Sequence, residues 1–223
     1  MAAFAAAGQL RPAARAWRRL SWPSYSAAKT YLKYCVSIDI AFLVIYGVCN
    51  WWTSQRSARL AVYFDWELSI PLVPAMIWGY GSMFVLFLFP LFQLGEDGLR
   101  RLGQQILLAL PIAGLSFLLF PVELGFARPD YVPGYNGIYQ FIYAIDYPHN
   151  LVPSLHIVFS TLILAAMMDV AAPLWRWGYA VWLAVISISV VLVHQHHLAD
   201  VFSGYLLAWF CRKVWAGNGR ASL

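Results

Sequence analysis

Residues 175–200 read WRWGYAVWLAVISISVVLVHQHHLAD, an apolar run followed directly by a stretch rich in histidine. The run Trp175–Val193 is long enough to cross a bilayer as a helix, which takes about 20 mainly apolar residues. The polar stretch His194–Asp200 then places three histidines at the end of that helix. A membrane helix that carries histidines at its end is therefore the unit from which we predict the fold.

The composition of the whole chain indicates the same class of protein. Of its 223 residues, 61% are hydrophobic and 11% are charged, whereas soluble domains average about 25% charged residues. We therefore expect an integral membrane protein. A net charge of +5 would suggest a nucleic-acid partner for a soluble chain. Here the loop bias of membrane proteins explains it, and we expect no nucleic-acid partner.

Apolar run length predicts six membrane spans in one all-α bundle. The spans are Tyr34–Trp52, Val73–Leu94, Gln105–Leu124, Pro153–Ala172, Trp175–Val193 and Ala199–Trp215. Residues 31–216 thus form a six-helix membrane domain, which a cytoplasmic tail, 217–223, follows. Residues 1–30 form a basic segment in front of it. Arg15, Trp17, Arg18 and Arg19 suit either an amphipathic helix on the membrane surface or a disordered basic tail.

The positive charges predict the orientation of the bundle. With a cytoplasmic N-terminus, twelve of the 15 Lys and Arg residues lie in cytoplasmic segments. The other three, Arg56, Arg59 and Arg128, lie in the outer segments 53–72 and 125–152. Cationic side chains resist translocation, so we predict a cytoplasmic N-terminus. A bacterial inner membrane fits this pattern, with a eukaryotic endomembrane as the alternative.

Pro153-Ser154-Leu155-His156 is the first motif that indicates chemistry. Proline favours the first position of a helix, and the free N–H groups of a helix start can hold an anion. Ser154 and the nearby backbone would bind phosphate oxygens, and His156 would exchange a proton from the first turn. The alternative is a Pro-Ser helix cap beside an interfacial histidine.

His196 and Asp200 form the second motif, because residues four apart share one face of a helix. A carboxylate bonded to one ring nitrogen leaves the other nitrogen as a nucleophile or base. The alternative is that Asp200 caps the sixth helix and merely bonds His196. Ionisable groups at membrane depth are costly and usually functional. Together with His156 on the same outer side, the pair predicts a site for phosphoryl transfer.

Both motifs resemble those of a known family. Asn150-x-x-Pro-Ser-Leu-His156 and His194-Gln195-His196-x-x-x-Asp200-Val201-x-x-Gly204 are similar to the second and third motifs of the type-2 phosphatidic acid phosphatase superfamily. The residues at these motif positions resemble those of its inositolphosphotransferase-like branch. The early segment from Asp65 through Ile70-Pro71 to Tyr80 also resembles that branch. The resemblance spans roughly residues 60–210.

The resemblance implies a six-helix membrane enzyme that uses no metal or other cofactor. By motif position, His196 is the nucleophile that forms a phosphohistidine, Asp200 orients it, and His156 is the general acid. Arg128-Pro129 is a possible match to the first motif, whereas Pro121 and Val190 stand where the classical form has cations. The residues expected to bind substrate are Arg128, Ser154, His194, Gln195 and His197.

The motifs and the resemblance are compatible with three functions. The first is a phosphatase that cleaves a phosphomonoester or pyrophosphate of a lipid on the non-cytoplasmic side. Undecaprenyl pyrophosphate, phosphatidic acid, phosphatidylglycerol phosphate and lipid A phosphates all fit it. The second is a transferase that passes the phosphoryl or phospho-alcohol group to a lipid or polyol hydroxyl. The third is a membrane protein without enzymatic activity. The oligomeric state is not predicted.

Other polar residues receive structural predictions. A zinc cluster of His194, His196 and His197 is disfavoured, because their spacing does not converge from one helix. Asp65 and Glu67 are expected to stabilise the outer loop. Cys35, Cys49 and Cys211 are expected to be small core residues, with a disulfide as the alternative.

Overall fold

The computed structural model describes residues 21–218, and these form an all-α protein, as predicted. Two short 3-10 turns, Asp65–Ser69 and Pro74–Met76, lie between the first two helices. The eight α-helices are α1 (Tyr25–Ser54), α2 (Ile77–Leu86), α3 (Phe89–Gln93), α4 (Glu96–Leu119), α5 (Asn136–Ile145), α6 (Leu155–Val170), α7 (Pro173–Leu192) and α8 (Leu198–Asn218).

Three of these helices, α1, α4 and α7, are long and apolar enough to cross a membrane, and α6 is a shorter apolar helix. Along α1, large apolar side chains point away from the protein, and Leu43 is 69% exposed and Val44 60%. A continuous exposed apolar face is unfavourable in water and suits contact with lipid. The chain is therefore an integral membrane protein.

Helix α6 lies at the centre of the bundle, because it packs against α4, α7 and α8. Ile157, Val158 and Leu162 near its start are each 0% exposed. Helix α1 packs mainly against α4, and α2 packs against α7. The helix that begins with the first histidine motif is thus held by neighbours on several sides.

Loop contacts show which helix ends lie together. Leu60, after α1, donates its N–H to the carbonyl oxygen of Pro121, after α4, at 2.9 Å. Val73, before α2, donates to the carbonyl oxygen of Leu192 at the end of α7, also at 2.9 Å. Because short connections join α6, α7 and α8, the N-terminal ends of α6 and α8 lie there too. We name this end of the bundle the histidine end.

The predicted span Val73–Leu94 is not one helix. It divides into the turn Pro74–Met76, α2 and the short α3. Pro90 explains the division, because it lacks an N–H and its ring would clash with the carbonyl oxygen of Leu86 in a continuous helix. The helix therefore stops at Leu86 and restarts at Phe89, with Pro90 in the first turn of α3.

Two local predictions near the first motif also need correction. The segment 125–152, which was expected on the outer side, contains a helix, α5, that its Pro, Gly and Tyr content did not predict. Pro153 is not the first helical residue, because Ser154 is the N-cap and α6 begins at Leu155. His156 nevertheless lies in the first turn of the helix, as predicted.

The predictions for the two chain termini are not tested by the structure. The expected amphipathic helix around residues 15–19 and residues 219–223 of the expected tail lie outside the described residues. The three cysteines are free thiols, two of them buried and Cys35 partly buried. The interpretation as small core residues therefore agrees with the burial of Cys49 and Cys211, whereas Cys35 is only partly buried.

Candidate active site

The pair His196 and Asp200 lies at the start of α8. Nδ1 of His196 is 3.1 Å from Oδ2 of Asp200. An ionised carboxylate only accepts hydrogen bonds, so Nδ1–H donates and Nε2 keeps its lone pair. Both side chains are buried, with His196 4% and Asp200 0% exposed. The contact expected from the four-residue spacing is therefore present.

A sharp turn in front of α8 positions His196. His194 has a φ of 57°, in the left-handed region, which costs a non-glycine residue about 1–2 kcal/mol. The N–H groups of Gln195 and His196 both donate to the carbonyl oxygen of Val190 at 3.0 Å, which holds the turn. The Val190 side chain is 0% exposed. Where the classical motif has a cation, this chain has a core residue that anchors the turn through its backbone.

His156 lies beside His196 at the histidine end. The two ring centroids are 5.6 Å apart and the ring planes are inclined by 65°. Tyr80 of α2 also contacts the His156 ring, with centroids 4.4 Å apart. Nε2 of His156 is buried and has no hydrogen-bond partner among the described residues. Buried nitrogens normally have a partner, so this atom marks a place where a ligand or water is expected.

Ser154 serves the local structure of both motifs. Its hydroxyl accepts the N–H of Ile157 at 3.5 Å, which caps α6, and the side chain is fully buried. Its own N–H donates to the carbonyl oxygen of Asp200 at 3.1 Å. In this conformation the hydroxyl is used by the cap, and substrate binding by Ser154 stays a prediction.

Arg128 reaches the site from the loop between α4 and α5. Its Nη1 donates to the carbonyl oxygen of Asp146 at 2.8 Å, and its Nη2 donates to Oε1 of Gln195 at 3.4 Å. Nε is buried without a partner among the described residues. Burial lowers the pKa of Arg128 and Asp146 opposes that shift, but an arginine side chain stays charged in proteins. A cation therefore lies next to the residue that precedes His196.

His194 and His197 are both bonded within the protein. Nε2 of His194 donates to the carbonyl oxygen of Ile70 at 3.0 Å. Nδ1 of His197 lies 3.3 Å from Oε2 of Glu67, and its Nε2 accepts the N–H of Gly125 at 3.1 Å. Burial lowers the pKa of both histidines. Substrate binding by His197 stays a prediction that this conformation, with both ring nitrogens occupied, does not favour.

The same contacts bear on the zinc alternative. The rings of His194, His196 and His197 each bond a different protein group and do not converge on one point. Across residues 21–218, no group of three or more His, Cys, Asp or Glu side chains is arranged to hold a metal ion.

Several residues near the site had no local signal in the sequence. Tyr80 was named only as part of the segment that resembles a known family. Asp146 was not predicted to lie near the site. Its carboxylate accepts a hydrogen bond from Tyr46 of α1. Such contacts join residues 100 positions apart, so only the folded chain brings them together. Glu67 was expected to stabilise the outer loop, and it accepts the N–H of Phe64 at 3.0 Å.

Comparison with known proteins identifies the family. The family model of the PAP2 superfamily matches residues 103–217, which is more than half of the chain. The chain belongs to the PAP2 superfamily. Proteins of this superfamily are typically phosphatases, so membership indicates a phosphatase-like phosphoester hydrolase. No curated protein and no solved structure matches the chain.

The PAP2 match covers only part of the residues described above. It contains Arg128, His156, His196 and Asp200, all of which lie within residues 103–217. It begins after α2 and α3, so the resemblance of residues 65–80 to the inositolphosphotransferase-like branch lies outside it. The match supports the superfamily and gives no evidence for that branch.

Proposed function

We propose that this PAP2 superfamily protein is a membrane lipid-phosphate phosphatase that forms a phosphohistidine on His196. The observation that carries the proposal is the 3.1 Å contact between Nδ1 of His196 and Asp200. It keeps the proton on Nδ1 and leaves the lone pair of Nε2 to attack phosphorus. The N–P bond forms as the P–O bond to the lipid alcohol breaks. Water then cleaves the N–P bond and releases phosphate.

His156 is proposed as the general acid for the leaving alcohol. Its ring lies close enough to His196, with centroids 5.6 Å apart, for one phosphoryl group to contact both rings. Its buried Nε2, which has no hydrogen-bond partner within residues 21–218, supports this role. His156 would give its proton to the departing oxygen and recover one from the attacking water, as microscopic reversibility requires.

Arg128 is proposed to stabilise the phosphoryl oxygens. Fixed cations near those oxygens lower the barrier, because charge is spread over them in the transition state. The contact of Arg128 with Gln195 holds the guanidinium near the nucleophile. Gln195 and His194, whose Nδ1 is not used by the Ile70 contact, are further candidates. We propose positioning roles for Ser154 and His197, whose polar atoms bond within the protein.

The distribution of cations supports a site on the non-cytoplasmic face. Among the described residues, the histidine end carries Arg56, Arg59 and Arg128, and the opposite end carries Lys29, Lys33, Arg100, Arg101, Arg176, Arg212 and Lys213. The cation-rich end of a membrane protein is usually cytoplasmic. We therefore propose six crossings, with α2 and α3 together as one, and a site that faces the periplasm in a bacterial inner membrane. A lipid substrate would keep its tail in the bilayer.

One observation favours a transferase as the second candidate. Tyr80 contacts the ring of His156, the proposed acid, with centroids 4.4 Å apart. A hydroxyl beside the proposed acid can hydrogen-bond a polyol acceptor, which would then replace water. The resemblance of residues 65–80 to the inositolphosphotransferase-like branch supports the same candidate.

The proposal is tested by assaying purified wild-type and His196→Ala proteins for phosphate release from a panel of lipid monophosphates and diphosphates. We expect phosphate release by the wild type, insensitive to a chelator, and none by His196→Ala at equal thermal stability. Acid-labile label from a radioactive phosphate substrate should appear on the wild type alone. Full activity of His196→Ala would contradict the mechanism. Label transferred to an added polyol rather than to water would support the transferase.

A further inference from the structure

Glu67 is a buried carboxylate outside the part of the chain that matches the family. It is 0% exposed and lies in the turn Asp65–Ser69. Oε1 accepts the N–H of Phe64, and Oε2 accepts the N–H of Leu198 at 2.9 Å and Nδ1 of His197 at 3.3 Å. A buried carboxylate is stable only with such partners. Glu67 is therefore fixed in place and fixes the first residue of α8 in turn.

The ring of His197 is held from every direction. Its Nε2 accepts the Gly125 N–H at 3.1 Å, so in the neutral ring the proton must be on Nδ1, which faces Glu67. Tyr63 stacks on the ring with centroids 4.5 Å apart, and Phe126 stacks with centroids 4.3 Å apart. Phe126 also stacks on His194, at 4.0 Å. One tautomer and one ring orientation satisfy all of these contacts.

His197 contacts the two parts of the proposed machinery through different atoms. Its backbone N–H donates to Oδ2 of Asp200 at 2.8 Å, the same oxygen that faces His196. Its Nε2 holds Gly125, which lies three residues before Arg128. A side chain at Gly125 would collide with the Tyr63 ring, because a Cβ there would lie 2.4 Å from its Cζ. The segment leading to Arg128 is thus fitted closely against His197 and Tyr63.

We propose that Glu67 and His197 are positioning residues that align the nucleophile pair with the segment carrying Arg128. The inference rests on the proposed function for His196, Asp200 and Arg128. Glu67 holds the backbone N–H of Leu198 and the Nδ1 of the His197 ring. Through His197, whose backbone N–H donates to Asp200, it acts on Asp200 and His196. The Nε2 contact with Gly125 acts on Arg128. The two nitrogens of one imidazole ring thus position two different parts of the site: Nδ1 acts on the nucleophile pair, and Nε2 acts on Arg128.

Two variants of His197 distinguish the contact made by Nδ1 from the contact made by Nε2. In His197→Gln the amide oxygen reaches as far as Nε2 and still accepts from Gly125, but the donor to Glu67 is lost. In His197→Asn the amide nitrogen reaches as far as Nδ1 and still donates to Glu67, but the acceptor for Gly125 is lost. We expect the Gln variant to lower kcat about a hundredfold with little change in KM, since misplacement by about 1 Å has such an effect. The Asn variant should mainly raise KM, by about tenfold.

Glu67→Gln tests the other partner. Its amide nitrogen cannot accept, so at least one of the three donors loses its acceptor, and kcat should fall as in His197→Gln. Asp65→Asn is the matched control, because Asp65 is an exposed carboxylate in the same turn, and its activity should be unchanged. A purely structural role would lower thermal stability and the active fraction alike in His197→Gln, His197→Asn and Glu67→Gln. Equal KM values in His197→Gln and His197→Asn would overturn the proposal, whether or not Glu67→Gln folds.

A substrate-free readout keeps this proposal distinct from the proposed function. Imidazole ¹⁵N chemical shifts of histidine-labelled wild type, assigned by loss of the signal in His197→Gln, report which ring nitrogen carries the proton. We expect protonated Nδ1 and unprotonated Nε2 at neutral pH. Protonation on Nε2 would overturn the positioning arrangement even in an active enzyme. A wild type that releases no phosphate but shows protonated Nδ1 would refute the proposed function and leave this geometry standing.

Discussion

The backbone N–H of Ser154 donates to the carbonyl oxygen of Asp200 at 3.1 Å, so a main-chain hydrogen bond joins the two histidine motifs. Ser154 is the N-cap of α6 and Asp200 lies in the first turn of α8. A backbone bond fixes the relative height of the two helices more firmly than a contact between side chains. The separation of His156 from His196 follows from it, because each histidine lies within a few residues of one end of this bond.

Gly204 permits this close approach, and Gly204→Ala should disturb it. A Cβ at Gly204 would lie 2.9 Å from the carbonyl oxygen of Ser154 and 2.9 Å from Cβ of Ile157. Neither atom belongs to the end of a flexible side chain, so α8 must move away from α6. We expect a loss of about 1–3 kcal/mol of stability and reduced phosphate release. Thermal unfolding in detergent measures the first effect.

Gly178→Ala in α7 is the control for that substitution, because no neighbouring residue in the described part of the chain would lie within 4 Å of a Cβ there. Alanine in an open helical position stabilises by about 1 kcal/mol relative to glycine. A Gly204→Ala protein as stable and active as Gly178→Ala would contradict the close-packing argument.

Asp200→Asn should lower kcat by about 10²–10⁴ with little change in KM, because an amide can present its NH₂ group to His196 and favour the wrong tautomer. Release of phosphate from the best lipid substrate measures the effect. Asp169→Asn is the control, since Asp169 bonds Arg212 at 2.9 Å at the opposite end of the bundle. Equal activity of Asp200→Asn and Asp169→Asn would remove Asp200 from the mechanism.

The sequence predicted features that depend on local patterns. Helix α7 was expected at Trp175–Val193 and is found at Pro173–Leu192, because its apolar run ends where the helix ends. Helix α4 begins at Glu96, nine residues before the expected Gln105, since its first turns carry charges and hydropathy marks only the apolar part of a helix. The four-residue spacing of His196 and Asp200 predicted their contact.

Features that depend on the folded chain were not predictable in this way. The contact of Glu67 with His197 joins residues 130 positions apart, and no periodicity or spacing rule connects them. Tyr80 contacts His156 because α2 packs against α7 and α6, and this packing joins segments far apart in the sequence. The missing cation at position 190 could be read from the sequence. The role of Val190 as the anchor of the turn before His196 could not.

Arg128→Lys should lower kcat/KM by about tenfold to a hundredfold, although it keeps the charge. The guanidinium contacts Asp146 and Gln195 at once, through Nη1 and Nη2, and an ammonium group cannot reproduce this fork. Arg56→Lys is the matched control, since Arg56 is an exposed arginine at the same end of the bundle and lies over the Trp52 ring. Steady-state assays of both variants decide it. A loss of similar size in Arg56→Lys would point to a general surface effect.

Acidification should destabilise the protein between about pH 6.5 and pH 5. Burial lowers the pKa values of His194, His197 and His149, which lies in the loop between α5 and α6, below the ordinary 6.5. In this window the unfolded chain therefore binds more protons than the native protein, so the free energy of unfolding falls as pH falls. Thermal unfolding at several pH values measures this slope, and His197→Gln should make it shallower by removing one of the three groups. A melting temperature that stays constant or rises towards pH 5 would show that these histidines are already protonated in the fold.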